Sequence, residues 1–171
     1  LVMLFATRWR MVPILLVLAL IWLYFSTQSD VFLSSRNLSN LAGQIVVTST
    51  IALGLFFVLV VAEIDLSVAA IVALASTAMG YIASIGGGTG AMVLAGILTG
   101  LACGAFNGLL VTRFKLPSIV VTIGTMSLFR GMSFIVLGDG VFEGYPADVA
   151  FFGQGYVWWV FSFELVFFLL A

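Results

Sequence analysis

Long apolar runs separated by short polar stretches dominate this sequence. Most of these runs approach the roughly 20 residues that an α-helix needs to cross the hydrocarbon core of a bilayer. The pattern predicts six membrane-spanning segments, at residues 9–25, 41–62, 66–85, 91–111, 118–137 and 157–171. We therefore expect an all-α fold, a polytopic transmembrane bundle of about six helices, in one domain over residues 1–171.

Composition supports an integral membrane protein. Hydrophobic residues make up 63% of the chain and charged residues 8%, whereas a typical soluble domain is about 25% charged. Six basic and seven acidic residues leave a net charge of -1 without a basic cluster, which argues against a nucleic-acid surface. The chain has no histidine, so we expect no catalytic residues, metal site or cofactor, and Cys103 is interpreted as a packing residue.

A polar island stands between two uncharged apolar runs. It contains Glu63, Asp65 and Ser67. Ionisable groups this close to hydrocarbon are costly and often functional. The Asp65 carboxylate is predicted either to cap the start of the following helix or to pair with Arg130.

Further polar residues interrupt the later apolar segments: Asn107, Thr122, Thr125 and Arg130. For Asn107, a hydrogen bond to a neighbouring helix and a place along a polar substrate path both stay open. The two threonines are interpreted as bonding their own helix backbone, with the substrate path as the alternative. Arg130 lies deep in its segment, and its expected partners are Glu63 or Asp65, with Asp139 as a further choice.

Glycine recurs at every fourth residue in one segment, at Gly96, Gly100, Gly104 and Gly108. Small residues allow two helices to approach closely. This stripe predicts a tight helix–helix seam, and a dedicated homodimerisation face is the alternative. The glycine-rich run at residues 86–90 is interpreted as a tight turn, because it lacks the lysine and preceding strand of a phosphate-binding loop.

Basic residues predict the orientation in the membrane. Arg8 and Arg10 place the N-terminus in the cytoplasm, and counting crossings puts Arg113 and Lys115 there too. Arg36 is an exception to this bias, because the count places it in the first outside loop. The same count places the acidic loop on the outside, with its carboxylates at Asp139, Glu143 and Asp148. The polar island then faces the cytoplasm, unless its two flanking helices are discontinuous and meet at membrane depth.

Four short motifs occur in a characteristic order. They are Glu-Ile-Asp-Leu-Ser-Val at 63–68, Ala-Phe-Asn-Gly-Leu-Leu-Val at 105–111, Leu-Pro-Ser-Ile-Val-Val-Thr-Ile-Gly-Thr-Met at 116–126 and Phe-Arg-Gly at 129–131. This order resembles the ribose-type permease subunits of bacterial ABC importers, which carry monosaccharides or autoinducer-2. The family usually has Gly at the position of Glu63 and commonly Phe at that of Ile119, and the extra carboxylate suggests a rhamnose-type member.

The resemblance implies a subunit that moves a monosaccharide through the bacterial inner membrane by alternating access. Its implied partners are an ATP-binding cassette subunit, a second permease subunit, identical or paralogous, and a periplasmic sugar-binding protein. Because family members are about twice as long, the chain is interpreted as an incomplete, N-terminal half. Two alternatives stay open, a non-functional truncated fragment and an ion-coupled secondary transporter. Neither the sugar nor the identity of the second permease chain follows from the sequence.

Overall fold

The computed structural model describes the backbone of residues 2–157 and 161–162, and the side chains of residues 11–149, 151 and 155. Within these ranges the elements are α1 Val2–Gln28, α2 Ser35–Val60, α3 Val68–Ser84, α4 Thr89–Phe114, α5 Ser118–Leu137, α6 Ala147–Gln154, β1 Tyr156–Val157 and β2 Phe161–Ser162. The prediction of an all-α helix bundle is confirmed. The chain divides into two compact units, Leu1–Ile45 and Val46–Ala171.

The first unit contains α1 and the beginning of α2. The ring of Phe32, in the connection, lies edge-on to Trp22 and stacks on Phe25. Helix α2 begins where it does because the Ser34 hydroxyl accepts a hydrogen bond from the backbone N–H of Asn37 at 3.3 Å, the geometry of an N-cap. This cap extends α2 six residues before the predicted start at residue 41.

The second unit has its core between α3, α4 and α5. Ala70 and Leu74 of α3 pack with Cys103 of α4 and Phe129 of α5. A short turn joins α3 to α4, and residues 115–117 join α4 to α5. The start of α3, the end of α4 and the start of α5 consequently lie at one end of this bundle.

Helix α5 shows an inverted distribution of polarity. Its buried face carries four hydroxyl side chains among six buried residues, which are Ser118, Val121, Thr122, Thr125, Phe129 and Ser133. Its exposed face carries large apolar side chains such as Ile123, Leu128 and Ile135. This arrangement places hydroxyls inside the bundle and apolar surface outside, as expected for a helix surrounded by lipid or by other transmembrane helices.

Four of the described helices are long and apolar enough to cross a membrane, namely α1, α2, α4 and α5, and α3 is a shorter apolar helix of 17 residues. Helices α1 to α5 correspond to the first five predicted segments. The sixth predicted helix, at residues 157–171, is wrong at its start. Val157 pairs with Phe161 in an antiparallel strand ladder, so its backbone bonds across strands and not along a helix. Residues 158–160 and 163–171 of that prediction lie outside the described residues.

Helices α2 and α3 end with the same hydrogen-bond pattern. After α3, Gly87 N–H donates to Ile82 C=O and Gly86 N–H to Ala83 C=O. After α2, Glu63 N–H donates to Val58 C=O and Ala62 N–H to Leu59 C=O. Both are Schellman motifs, which require a left-handed residue at the position just past the helix. Glycine supplies it after α3 with φ +81°, whereas Ala62 supplies it after α2 with φ +61°.

Candidate functional site

The predicted polar island forms a non-helical break between α2 and α3, at residues 61–67. Its backbone is held by the first turn of α5. The N–H of Ile64 donates to the Ser118 hydroxyl at 3.2 Å, and the Thr122 hydroxyl lies 3.4 Å from Ile64 C=O while donating to Ser118 C=O at 2.8 Å. Side chains of α5 therefore contact backbone groups that a helix would have paired internally.

A chain of three polar side chains crosses from the break to α4. The Asp65 carboxylate accepts two hydrogen bonds from Ser67, one from its backbone N–H at 2.7 Å and one from its hydroxyl at 2.6 Å. The Ser67 oxygen in turn accepts a hydrogen bond from the amide nitrogen of Asn107 at 2.8 Å. Ser67 is fully buried and Asn107 is 6% exposed, so this chain lies inside the bundle.

The directions of these hydrogen bonds follow from chemistry. An ionised carboxylate only accepts, so Ser67 gives its single hydroxyl hydrogen to Asp65 and has only lone pairs left for Asn107. Asn107 must therefore turn its NH₂ group toward Ser67. Its Oδ1 atom is consequently left buried without a hydrogen-bond partner among the described residues. Such an orphan acceptor costs about 1–3 kcal/mol.

The Asp65 carboxylate is predicted to cap α3, and in the structure it instead accepts both of its hydrogen bonds from Ser67, the residue just before the helix. Ser67 is the N-cap residue of α3, and its own side chain makes no capping bond. Asp65 fixes the turn that leads into the helix by holding Ser67. The backbone amides of Ala70 and Ile71 both donate to the backbone C=O of Ser67 at 2.9 Å.

The structure does not bring Arg130 to the break. Arg130 is exposed on α5, and within the described part of the chain it forms no ion pair with Glu63, Asp65 or Asp139. The physical reason is its position beside Phe129, which faces the core, because neighbouring residues on a helix point in directions about 100° apart. The prediction that Arg130 forms an ion pair with one of these carboxylates is therefore wrong.

Glu63 and Thr125 also stand apart from the hydrogen-bonded chain. Glu63 is half-buried. The Thr125 hydroxyl is buried on α5 and lies 3.4 Å from Thr122 C=O, in agreement with the interpretation that both threonines bond their own helix. A role for these side chains along a substrate path stays a prediction.

The glycine stripe meets another helix of this chain at one of its four positions. A side chain at Gly96 would lie 2.8 Å from the Met79 sulfur on α3, whereas Gly100, Gly104 and Gly108 have nothing within 4 Å, among the described residues. The reason is periodicity: a four-residue step advances about 40° around a helix, so the stripe turns by about 120° from first to last. The contacts with α3 and its N-cap instead involve Gly96, Cys103 and Asn107, and packing at the other three glycines stays a prediction.

Arg113 and Lys115 lie at the same end of the α3–α5 bundle as the break. Lys115 ends α4 in a left-handed conformation with φ +54°, and α5 begins three residues later at Ser118. Asn107 stands seven residues before the end of α4, about 10 Å along its axis. The hydrogen-bonded chain therefore lies inside the bundle but near its basic end.

The opposite end carries the acidic segment that follows α5. Asp148 accepts a hydrogen bond from the Thr89 hydroxyl at 3.1 Å. A side chain at Gly80 would fall 2.5 Å from Phe142, which shows that the Phe142 ring lies directly on the backbone of α3. The acidic segment is therefore attached to the ends of α3 and α4 that face away from the break.

Chemically, the break offers hydroxyl, amide and carboxylate groups and no cationic side chain. Such groups bind neutral polar molecules by hydrogen bonding. Among the described residues, no cluster of three His, Cys, Asp or Glu side chains could hold a metal ion. Sequence reasoning missed Ser118 and Ala62. Ser118 had one usable signal, a hydroxyl at the first helical position after Pro117, whereas nothing in the sequence marks Ala62 as left-handed.

Comparison with known proteins identifies the family. Residues 37–171 match the model of the branched-chain amino acid transport system / permease component family. The chain belongs to this permease family. The match covers the break and the whole of α3, α4 and α5, so the hydrogen-bonded chain lies inside the family domain, and with four apolar helices of spanning length the chain is a multi-pass membrane protein.

Similar proteins include import permeases of Yersinia species. The chain is 36% identical over 126 residues to the autoinducer 2 import system permease protein LsrC of Yersinia pestis strain Pestoides F and, equally, to that of Yersinia pseudotuberculosis serotype O:1b strain IP 31758. Each alignment covers 74% of this chain and 34% of the relative. The aligned region thus spans about a third of these relatives' length. No solved structure gives a significant match.

Proposed function

We propose that this chain is part of a permease subunit of a bacterial ABC importer, which carries a small neutral polyhydroxylated molecule through the inner membrane. The observation that carries the proposal is the family match over residues 37–171, strengthened by the identity to import permeases. The polar groups of the break suit such a substrate, because hydroxyl, amide and carboxylate groups can exchange hydrogen bonds with hydroxyls. A monosaccharide or autoinducer 2 fits this class.

The subunit works with partners in this proposal. A separate ATP-binding subunit supplies the energy, a second permease chain completes the path, and a periplasmic binding protein delivers the substrate. The basic end of the α3–α5 bundle, with Arg113 and Lys115, faces the cytoplasm according to the positive-inside bias. The break and its hydrogen-bonded chain then lie near the cytoplasmic side, and the N-terminus with Arg8 and Arg10 is cytoplasmic too.

The first test is a mild-detergent pull-down of the tagged chain from its native membrane, followed by mass spectrometry. The expected result is co-purification of an ATP-binding subunit and of a permease chain. Recovery of the chain alone, or its rapid degradation, would favour the non-functional fragment. The companion proteins would also indicate the substrate.

The second test separates an ABC importer from an ion-coupled transporter. Uptake of labelled autoinducer 2 and of a panel of monosaccharides is measured in cells that express the chain with its co-purifying partners. The expected uptake is lost when ATP is depleted and survives a protonophore when ATP is maintained. Uptake that follows the ion gradient instead would support the secondary transporter.

The acidic segment is proposed as the docking face for the binding protein. Asp139 and Glu143 are both exposed and lie in the segment attached to the outer ends of α3 and α4. The double change Asp139→Asn with Glu143→Gln removes two charges and spares Asp148, which bonds Thr89. We expect weaker binding-protein affinity in reconstituted membranes with unchanged folding, and an unchanged affinity would dismiss this face.

A further inference from the structure

The break between α2 and α3 combines stabilising contacts with two local costs. The contacts are the hydrogen bonds from Ile64 to Ser118 and from Asn107 to Ser67. The costs are the left-handed conformation of Ala62 and the unpartnered Oδ1 atom of Asn107. Strained backbone is concentrated at functional sites and switch regions of proteins, and a buried polar atom without a partner is a second sign of stored strain.

The turn between α3 and α4 provides an internal comparison. It ends its helix with the same Schellman motif, yet glycine occupies the left-handed position there. Among the described residues, no distant side chain bonds its glycine-rich backbone, whereas the break is bonded by side chains more than 40 residues away along the sequence. The strain is therefore a property of the break and not of the motif.

We propose that residues 61–67 form a hinge and that Asn107 is the latch that holds it in the arrangement seen here. The latch acts through Ser67, since the Asn107 amide fixes the Ser67 oxygen and thereby the hydroxyl that holds Asp65. Release of the Asn107–Ser67 bond frees the Asn107 side chain to turn its orphan oxygen toward a donor. The same release frees the Ile64 backbone to leave Ser118.

The hinge deepens the proposed function, on which its use in transport rests. In an alternating-access cycle, the break near the cytoplasmic end would move between a latched and an unlatched position. The hinge itself is a property of the membrane-embedded chain and needs neither ATP nor partners. Its failure and the failure of the proposed importer function can therefore be observed separately.

Hydrogen–deuterium exchange of the full chain in phosphatidylcholine–phosphatidylglycerol nanodiscs tests the hinge. Asn107→Leu removes the latch and also the orphan oxygen while keeping the same number and branching of side-chain heavy atoms. We expect exchange in peptides covering residues 61–67 to rise about tenfold or more, with α4 and α5 unchanged. Thr112→Val is the matched control on the same helix, because the Thr112 hydroxyl donates to the Gly108 carbonyl of that helix, and it should leave exchange at the break unchanged.

A second variant keeps the hinge testable if Asn107→Leu fails to fold. Ala62→Gly relieves the left-handed strain of the latched arrangement, so we expect exchange at residues 61–67 to slow by about three- to fivefold. The proposal is overturned if Asn107→Leu leaves the break as protected as before, or raises exchange equally throughout α3, α4 and α5, which indicates a purely structural bond. Unchanged exchange in Ala62→Gly overturns it as well.

Discussion

Asn107 of α4 donates its side-chain amide hydrogen to the hydroxyl oxygen of Ser67, 40 residues earlier in the sequence, at 2.8 Å. This contact joins the start of α3 to the interior of α4. Because Ser67 also donates to Asp65, a single serine connects a half-buried carboxylate with a buried amide. This one hydroxyl therefore contacts both partners.

Removal of the Ser67 hydroxyl is expected to destabilise the bundle. Ser67→Ala leaves the Asn107 amide nitrogen buried without an acceptor and withdraws one donor from Asp65, at a cost of about 1–3 kcal/mol. Ser84→Ala is the control, because the Ser84 hydroxyl bonds the backbone of its own helix and is exposed; its effect should stay within about 0.5 kcal/mol. Unfolding in mixed detergent micelles measures both, and equal effects would contradict the central role of Ser67.

Ser118 should matter more than another buried serine on the same helix. Ser118→Ala leaves the backbone N–H of Ile64 without its acceptor, and we expect a loss of about 1–2 kcal/mol in the free energy of unfolding. Ser133 is also buried on α5, but its hydroxyl donates to the backbone of Phe129, whose carbonyl can still accept its helical bond. Ser133→Ala should therefore be close to neutral, and a larger loss there than at Ser118 would refute the assignment.

The two Schellman motifs predict opposite effects of exchanging glycine and alanine. Ala62→Gly should raise the free energy of unfolding by about 1 kcal/mol, because glycine adopts the left-handed conformation without strain. Gly86→Ala should lower it by about 1–2 kcal/mol for the converse reason. Chemical unfolding in detergent measures both changes. A destabilised Ala62→Gly variant would show that this position is not left-handed in the membrane.

Attachment of the acidic segment depends on the absence of a side chain at Gly80. Gly80→Ala would meet the Phe142 ring and its Cβ atom at 2.5–2.9 Å, so the segment must move away from α3. We expect proteolysis at residues 138–146 to become faster by about tenfold in Gly80→Ala. Gly104→Ala, where nothing lies within 4 Å, is the matched control, and an equally sensitive control would argue against the contact.

Sequence reasoning located the break, and it could not predict what holds it together. Asp65 and Asn107 were visible as polar residues in apolar surroundings. Their connection through Ser67 depends on how α3 and α4 are rotated about their axes, which helical periodicity leaves open when both helices are apolar all round. The same limit explains Arg130, whose direction away from the break could not be predicted from its position in α5.

Some helix boundaries could be predicted from the sequence pattern, and others could not. The end of α5 at Leu137 coincides with the prediction, since Gly138 and Asp139 follow immediately. The start of α2 was predicted six residues too late, because hydropathy does not register that Ser34 caps a polar first turn. Capping is local chemistry between backbone and hydroxyl, so a search for serine before Arg36 and Asn37 would have found it.

The glycine stripe predicts an effect on assembly rather than on folding. Gly104→Leu places a bulky side chain on a surface that is open in this chain, so the free energy of unfolding should not fall, and the higher helix propensity of leucine should raise it by up to about 1 kcal/mol. If a second permease chain packs against the stripe, its recovery in the pull-down should fall by at least about fivefold. Val93→Ala, at an exposed position of α4, is the control, and undiminished recovery with Gly104→Leu would rule out packing there.

The winding of that stripe has a geometric consequence for α4. Its smooth surface faces α3 at Gly96 and has turned by about a third of a circle at Gly108, toward surroundings that α3 does not occupy. A single helix with glycine at every fourth residue can therefore be approached closely by two different helices, each from its own direction and at its own height along the axis. Helices that pack against the stripe at different heights along α4 would therefore contact different sides of that helix.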